Sequence, residues 1–550
     1  MTESVAKSIT APHGLDDESR QMILDMVDQL QERLLPRDKV LEFDQQEIFP
    51  EDIIRQMLGA DIGLQLLFIP EEYGGMGGGA RDCCAVTRRL SKICLGISTA
   101  FFAIQLGADP LIVGGTPAQK QKWLGAIAEG NALVAYAVTE PGAGSNVAAI
   151  KTKADPIRDD QGNITAYRIN GSKQFISTGG YADFITLLAM TPEGPTFFVV
   201  EKDTPGFDRG KGEVKHGIRA SNTSPLTFTD AVVPAENLIG NIPGQGLKQA
   251  NQVFGYTRLM VAAMALGSAE AAMDIVVNYA RERVQFGTAL AEKQGYTHKL
   301  VIPHLVRLKA AAVYIDEIAH RLDTGEKDLQ VEGSIAKLVT SEVANRAADD
   351  AIQALGGYGY ITEFGVEKIK RDVKITCIYE GTSEIQQSII STFRWKKTWK
   401  TKGGYYREIA AEMAALADQS PASGCRYVGI AADLLNRLID RVHRHRLTKK
   451  QYIMFTLADL MAYVEVGAAM GRSVAGSGAD SVAMAEARIF ANDVAKVATD
   501  SAMKILRASD VFDEGDIASL LKDSAFNELQ QSYHGLIADL DQVAGAVFGA

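Results

Sequence analysis

Apolar and polar positions follow two different rhythms along this chain. Residues 15–35, LDDESRQMILDMVDQLQERLL, set apolar side chains three and four apart, the spacing of a helix with one face on a core. That rhythm carries to about residue 130. From 131 to 240 it changes. ALVAYAVT, ITAYRIN, ADFITLLAM, TFFVVEK and LTFTDAVV are rich in Val, Ile, Thr, Tyr and Phe and are separated by Gly, Pro or Asn turns, which predicts strands. From 241 to 395 long helices return. RLMVAAMALGSAEAAMDIVVNYARERVQFG carries small residues suited to close helix packing, and VEGSIAKLVTSEVANRAADDAIQALGG stops at Gly356 and Gly357. Pro303 is expected to kink a helix that begins near Tyr296. Beyond 396, AEMAALADQ, YVGIAADLLNRLIDRV, IMFTLADLMAYVEVGAAMGRSV and AMAEARIFANDVAKVATDSAMKIL are amphipathic helices. The expectation is an α+β chain of four domains: helical (1–130), a small β-barrel (131–240), a helical bundle (241–395) and an extra helical domain (396–550).

Composition narrows the function classes. The chain has 550 residues, 46% hydrophobic and 23% charged, as in ordinary soluble proteins. Its formal net charge of −11 argues against general nucleic-acid binding, which needs a broad basic face. Cys83, Cys84, Cys94, Cys377 and Cys425 lack metal-ligand spacing, and their odd number disfavours a disulfide framework. A reducing cytoplasm fits, and the opening MTESVAKSIT lacks the apolar core of a signal peptide. Charges such as Glu270 and Glu465 break the most apolar helices, so no membrane span is expected. Two basic patches, RWKKTWKTK (394–402) with Trp395 and Trp399, and RVHRHRLTKK (441–450), suit either a solvated linker or peripheral contact with anionic lipid at an inner membrane face.

The chemistry-bearing stretch is VKITCIYEGTSEIQ, Val373 to Gln386. An apolar segment delivers one acid, Glu380, turns at Gly381 and resumes as a helix behind Thr382 and Ser383. Glycine permits close backbone approach, and a Ser/Thr-capped helix start favours an anion. A carboxylate in apolar surroundings of Cys377, Ile378 and Tyr379 has its pKa raised and becomes a candidate proton acceptor. A capping loop with a surface Glu is the simpler alternative. PEEYGGMGGG (70–79) is a glycine-rich break that either cradles phosphate or makes a plain turn.

Taken in order, PEEYGGMG, YAVTEPGAGSN, RERVQFG, QALGGYGY and IYEGTSEIQ resemble the acyl-CoA dehydrogenase family over about residues 20–395. The resemblance implies FAD and an acyl-CoA substrate, with Glu380 as catalytic base. It places Tyr136, Val138, Thr139, Gly144 and Ser145 on flavin, with Ser145 also near the CoA phosphates. Phe175 stands where many members have Trp against the isoalloxazine, beside Ile176, and Ser177 stands where a Thr hydroxyl meets flavin N5. Arg283, Gln285, Phe286 and Gln294 would face the ADP part, and Gln353, Gly356 and Gly357 would do so from a neighbouring subunit. Thr382 and Glu384 complete the cofactor set. Arginine suits pyrophosphate through its two parallel donors. Arg258, Tyr379 and Gly381 would meet substrate. The Asp that many members carry three residues before this Arg is Gly255 here. The residue just before it, which carries the base in some relatives, is Thr257, so the base rests on Glu380. Helices around GISTAFFAIQLG (96–107) would wall the acyl pocket, where Phe101 and Phe102 either shorten it or simply pack. The C-terminal domain resembles the extension of very-long-chain members and implies a homodimer.

The implied reaction is α,β-dehydrogenation of the thioester, with the α-proton to Glu380 and a hydride to flavin N5. Enolate-like charge would be met by the Glu380 backbone N–H and a ribityl hydroxyl. Electron-transferring flavoprotein is the expected acceptor. Acyl-CoA oxidases use oxygen instead and stay open as an alternative. A decarboxylating glutaryl-CoA enzyme is disfavoured because its pocket arginine falls at Ser98. A non-catalytic flavoprotein that binds membrane or nucleic acid is the rival from another class, opposed by the intact Glu380 and the acidic charge.

Overall fold

The computed structural model describes residues 14–475 and 478–549, so the opening MTESVAKSIT lies outside the described residues. The chain forms two compact units. One takes residues up to Ser268 with Ala319–Gln330 and Arg371–Ile375; the other takes Ala269–Ile318, Val331–Lys370 and Thr376–Ala550.

The first unit opens on the helix Asp17–Arg33. Asp16 caps it by accepting from the Ser19 N–H, and Ile23, Val27 and Leu30 make its buried stripe. The glycine-rich break is a turn folded on its own chain: the N–H groups of Met76, Gly77 and Gly78 donate to carbonyls of Leu66, Ile69 and Leu67. They are therefore spent within the loop, and the plain-turn alternative holds. The helix Leu95–Gly114 is buried almost throughout. Phe101 and Phe102 are both buried, with the Phe101 ring 5.6 Å from that of Phe68, so Phe101 is a core residue.

Seven strands follow: β1 (Val134–Ala137), β2 (Lys153–Arg158), β3 (Ile164–Ser177), β4 (Phe184–Thr191), β5 (Gly194–Glu201), β6 (Phe207–Arg209) and β7 (Thr223–Pro234). They form one sheet in the order β1-β4-β2-β3-β7-β6, with β5 on β4. Ala135, Ala154, Ile169, Leu187, Phe198 and Phe228 come from six different strands yet share one apolar cluster, so the sheet curls round its own core. Its other side meets a helix at close range. A Cβ on Gly107 would lie 2.8 Å from Val134, and the Thr186 hydroxyl donates to the Gly107 carbonyl. Strands β2 and β6 were not anticipated. KADPIR has charges at three of its six positions and a proline, although Pro156 pairs opposite Tyr167, and β6 is only three residues long.

The second unit is helical. Its principal helices include Gln330–Leu355 and Ser383–Lys400, followed by Gly404–Gln419, Cys425–Arg444, Gln451–Ala475, Ser481–Leu506, Glu514–Asp523 and Leu536–Phe548. Instead of a kink near Pro303, one helix ends at Leu300 and another starts at Ile302. Proline lies in the first turn of the new helix, where an N–H would have no partner anyway. Arg394 is buried and donates to Glu332 (2.8 Å) and, through two nitrogens, to Glu465 (2.7 Å each), while the Tyr406 hydroxyl donates to Glu465 at 2.9 Å. That cluster ties Ser383–Lys400 to the C-terminal helices.

One expectation needs correcting. Among the described residues, Leu95–Gly114, Gly246–Glu282 and Gln451–Ala475 are long and apolar enough to cross a membrane, despite Glu270 and Glu465. Their most apolar windows are 94%, 72% and 83% buried inside the protein, so that length serves packing.

Candidate active site

In the first unit, two neighbouring segments carry the residues expected to hold flavin. Val138 is buried, Thr139 half-buried, and Gly144 and Ser145 exposed. What fixes this loop is a buried ion pair that sequence reasoning missed. Lys173 Nζ donates to the Val138 carbonyl and to Glu140 Oε1, each at 2.9 Å. Glu140 also accepts the N–H groups of Lys151 (2.6 Å) and Thr152 (2.9 Å). Gln174 N–H closes on the Thr139 carbonyl at 2.9 Å. The loop at 138–145 is thereby tied to the end of β3. Burial pushes the Lys173 ammonium down to about 8, against the opposing pull of Glu140. Burial raises Glu140, but the Thr152, Lys173 and Lys151 donors outweigh it and hold the carboxyl below its ordinary value.

Two residues beyond Lys173, Phe175 has φ +59° and leaves its ring 64% exposed. A left-handed aromatic residue is uncommon, and here it turns an apolar face outward. Ile176 is buried and Ser177 half-buried. The buried Thr178 hydroxyl has no hydrogen-bond partner among the described residues. Tyr136 packs with ring centroids 5.7 Å from Phe197 and 6.5 Å from Phe254, and the Arg258 guanidinium lies 6.0 Å from the Phe254 ring centre.

In the second unit, Glu380 sits at φ +54° and Gly381 at φ +91°. A left-handed non-glycine residue costs about 1–2 kcal/mol and persists where neighbours over-determine it. Two side chains do so. Gln386 Nε2 donates to the carbonyls of Glu380 (3.0 Å) and Gly381 (2.9 Å), and Lys337 Nζ donates to the Gly381 carbonyl. Both donors are fully buried. Thr382 accepts the Ile385 N–H and caps Ser383–Lys400, and Ser383 Oγ donates to Glu342 at 2.7 Å. The expectation of a buried acid is modified: Cys377 is buried, but Glu380 and Tyr379 are half-buried and Ile378 is 48% exposed. Glu384 is exposed.

The segment expected at the ADP end lies open. Phe286, at φ +51°, is 97% exposed, and the Arg283 guanidinium lies 5.7 Å from the Tyr358 ring centre. Gln285, Gln294, Gln353, Gly356 and Gly357 are exposed. Added Cβ atoms on Gly287, Gly356 and Gly357 would meet nothing within 4 Å. The residues of each unit fit FAD chemically: in the first, an outward aromatic face at Phe175 and hydroxyls at Thr139, Ser145 and Ser177; in the second, the Arg283 fork and open glycine backbone. The Trp pair of the basic patch is engaged with histidine. Trp395 Nε1 donates to His443 Nδ1 at 3.1 Å, and the Trp399 ring stacks on His443 at 3.5 Å.

Comparison with known proteins bears on this arrangement. Sequence models of three acyl-CoA dehydrogenase domains match in order: the N-terminal domain over residues 17–131, the middle domain over 135–231 and the C-terminal domain over 244–393. The chain belongs to the acyl-CoA dehydrogenase family. It is therefore an oxidoreductase of that fold. It is 40% identical over 356 residues to acryloyl-CoA reductase (NADH) of Anaerotignum propionicum, which covers 64% of this chain and 88% of that protein. A chain in the solved structure of the electron transferring flavoprotein of Acidaminococcus fermentans is 36% identical, with a TM-score of 0.64 over 68% of this chain and 97% of that one. An acyl-CoA dehydrogenase of Bacillus anthracis, solved with FAD, is 25% identical with a TM-score of 0.81 and covers 98% of this chain and 96% of its own. The acyl-CoA dehydrogenase extension after residue 393 is thus shared with a solved relative.

Proposed function

We propose that this acyl-CoA dehydrogenase uses FAD to oxidise the Cα–Cβ bond of an acyl-CoA thioester to the 2-enoyl-CoA. The observation that carries the reading is the clamped, left-handed Glu380 at the head of the capped helix Ser383–Lys400. FAD is supported by the outward Phe175 face and its hydroxyl neighbours, and by the full-length relative solved with that cofactor. When bound, FAD supplies the hydride acceptor at N5. Glu380 takes the α-proton, and its backbone N–H donates to the thioester carbonyl oxygen as negative charge develops there. Lys337 and Gln386 hold the two carbonyls that fix the orientation of that N–H and of the carboxylate. The ordered pair Lys173–Glu140 keeps Val138–Ser145 set against Phe175–Ser177. Arg283 suits the pyrophosphate and Arg258 the CoA side.

Electron-transferring flavoprotein as the acceptor is supported by the likeness to the Acidaminococcus fermentans chain. The likeness to acryloyl-CoA reductase favours a second direction, reduction of a 2-enoyl-CoA by the same groups in reverse. The test is an anaerobic panel of acyl-CoAs of different chain length, branching and ring content, read by flavin absorbance and followed by air. The reading expects bleaching by at least one saturated acyl-CoA, little peroxide on admitting air, and return of the flavin colour when an electron acceptor is added. Stoichiometric peroxide on admitting air would instead make the protein an oxidase. No bleaching by any member of the panel would refute dehydrogenation.

A further inference from the structure

The last helix, Leu536–Phe548, makes three polar contacts with one segment of the bundle. Gln294 Nε2 donates to Asp541 Oδ1 at 3.0 Å, His298 Nε2 meets the same oxygen at 3.0 Å, and Arg281 Nη2 donates to the Val547 carbonyl at 2.6 Å. Thr297 Oγ1 lies 3.0 Å from His298 Nδ1. Asp541 thus receives two donors from neighbouring turns of one short helix, Gln294–Leu300.

We infer that Asp541 of the terminal helix belongs to the FAD site, where it holds Gln294 for the adenosine end of the cofactor. The inference rests on the reading that Gln294 meets that half of FAD. Its chemistry is specific. With Nε2 committed to Asp541, the Gln294 amide oxygen points the other way as an acceptor. The Asp541 carboxylate, half-exposed, has lone pairs left over. An acceptor pair of this kind suits donors, the ribose hydroxyls or the adenine amino group, and repels phosphate. Pyrophosphate is left to Arg283, whose fork suits it. The extension, which the family's domain models do not include, thereby acquires a role in cofactor retention, with Asp541 as a positioning residue.

The experiment titrates FAD into the full-length apoprotein and follows quenching of flavin fluorescence. In D541A the dissociation constant rises about three- to tenfold, as expected for losing one charge-assisted hydrogen-bonded anchor. D541N keeps an oxygen for both donors and restores most of the affinity. The melting temperature of the apoprotein stays as in wild type. FAD binding in D541A as tight as wild type overturns the inference, and so does a D541N protein as weak as D541A. A wild-type apoprotein that takes up no FAD overturns the underlying cofactor reading instead, and is told apart at the first titration.

Discussion

Glu380 is a residue held in an unfavourable backbone conformation by two buried donors, and its identity as an acid was visible in IYEGTSEIQ while its support was not. Lys337 lies in the run SIAKLV between Ile335, Ala336, Leu338 and Val339, all buried. A lone cation inside such a run is the available signal, because burying an ammonium without a partner is too costly. Lys173 gives the same signal in β3, two residues along from Gly171 and four from the buried Ile169. Its partner Glu140 lies in a motif read for its neighbours. That pair supports a pH prediction. The Glu140 carboxyl is held below its unfolded value, so the stability it adds is present above the ordinary carboxylate range and is lost as pH falls through the lowered folded value. E140Q, which leaves Lys173 without its counter-charge, melts lower than wild type at pH about 7, and the gap narrows as pH falls to about 4 or below. Thermal scans across that range check this; a gap that widens on acidification would show that the pair is not the cause.

At the level of elements, the helical rhythm and the stops were legible because an amphipathic stripe and a terminal glycine each state a local requirement. Strand β2 was not, since half of its side chains face solvent and it depends on β3 for its existence. Pro303 marked a real discontinuity, but whether a proline kinks a helix or starts a new one depends on whether the preceding carbonyls find donors elsewhere. The helix that follows Glu380 depends on the extension. Arg394 is 3% exposed and pairs with both Glu332 and Glu465. Arg394→Met removes the cation shared by two buried carboxylates, Glu332 and Glu465. Breaking such a pair costs about 3–5 kcal/mol. Urea unfolding at neutral pH is expected to show a loss of that order. A loss below about 1 kcal/mol, the range of surface pairs, would mean that the cluster is hydrated and does not tie the helix to the extension.

For the whole molecule, the family and its fold could be read from five ordered motifs, because each motif sets a local backbone requirement. The use of the extension could not. Its contacts to Gln294, His298 and Arg281 span more than 240 residues of sequence, and no periodic pattern encodes such a pairing. Nor does composition distinguish a membrane span from a core helix, as Gln451–Ala475 demonstrates by being apolar and packed inside the protein. The central claim is that one acid, Glu380, removes the proton that lets a hydride leave for the flavin. The most direct measurement is anaerobic stopped-flow of FAD-loaded wild type and Glu380→Gln with the best acyl-CoA from the panel. The account predicts that both bind the thioester, that wild type bleaches its flavin, and that the variant does so at least about a hundredfold more slowly. Bleaching of the variant at the wild-type rate would contradict it.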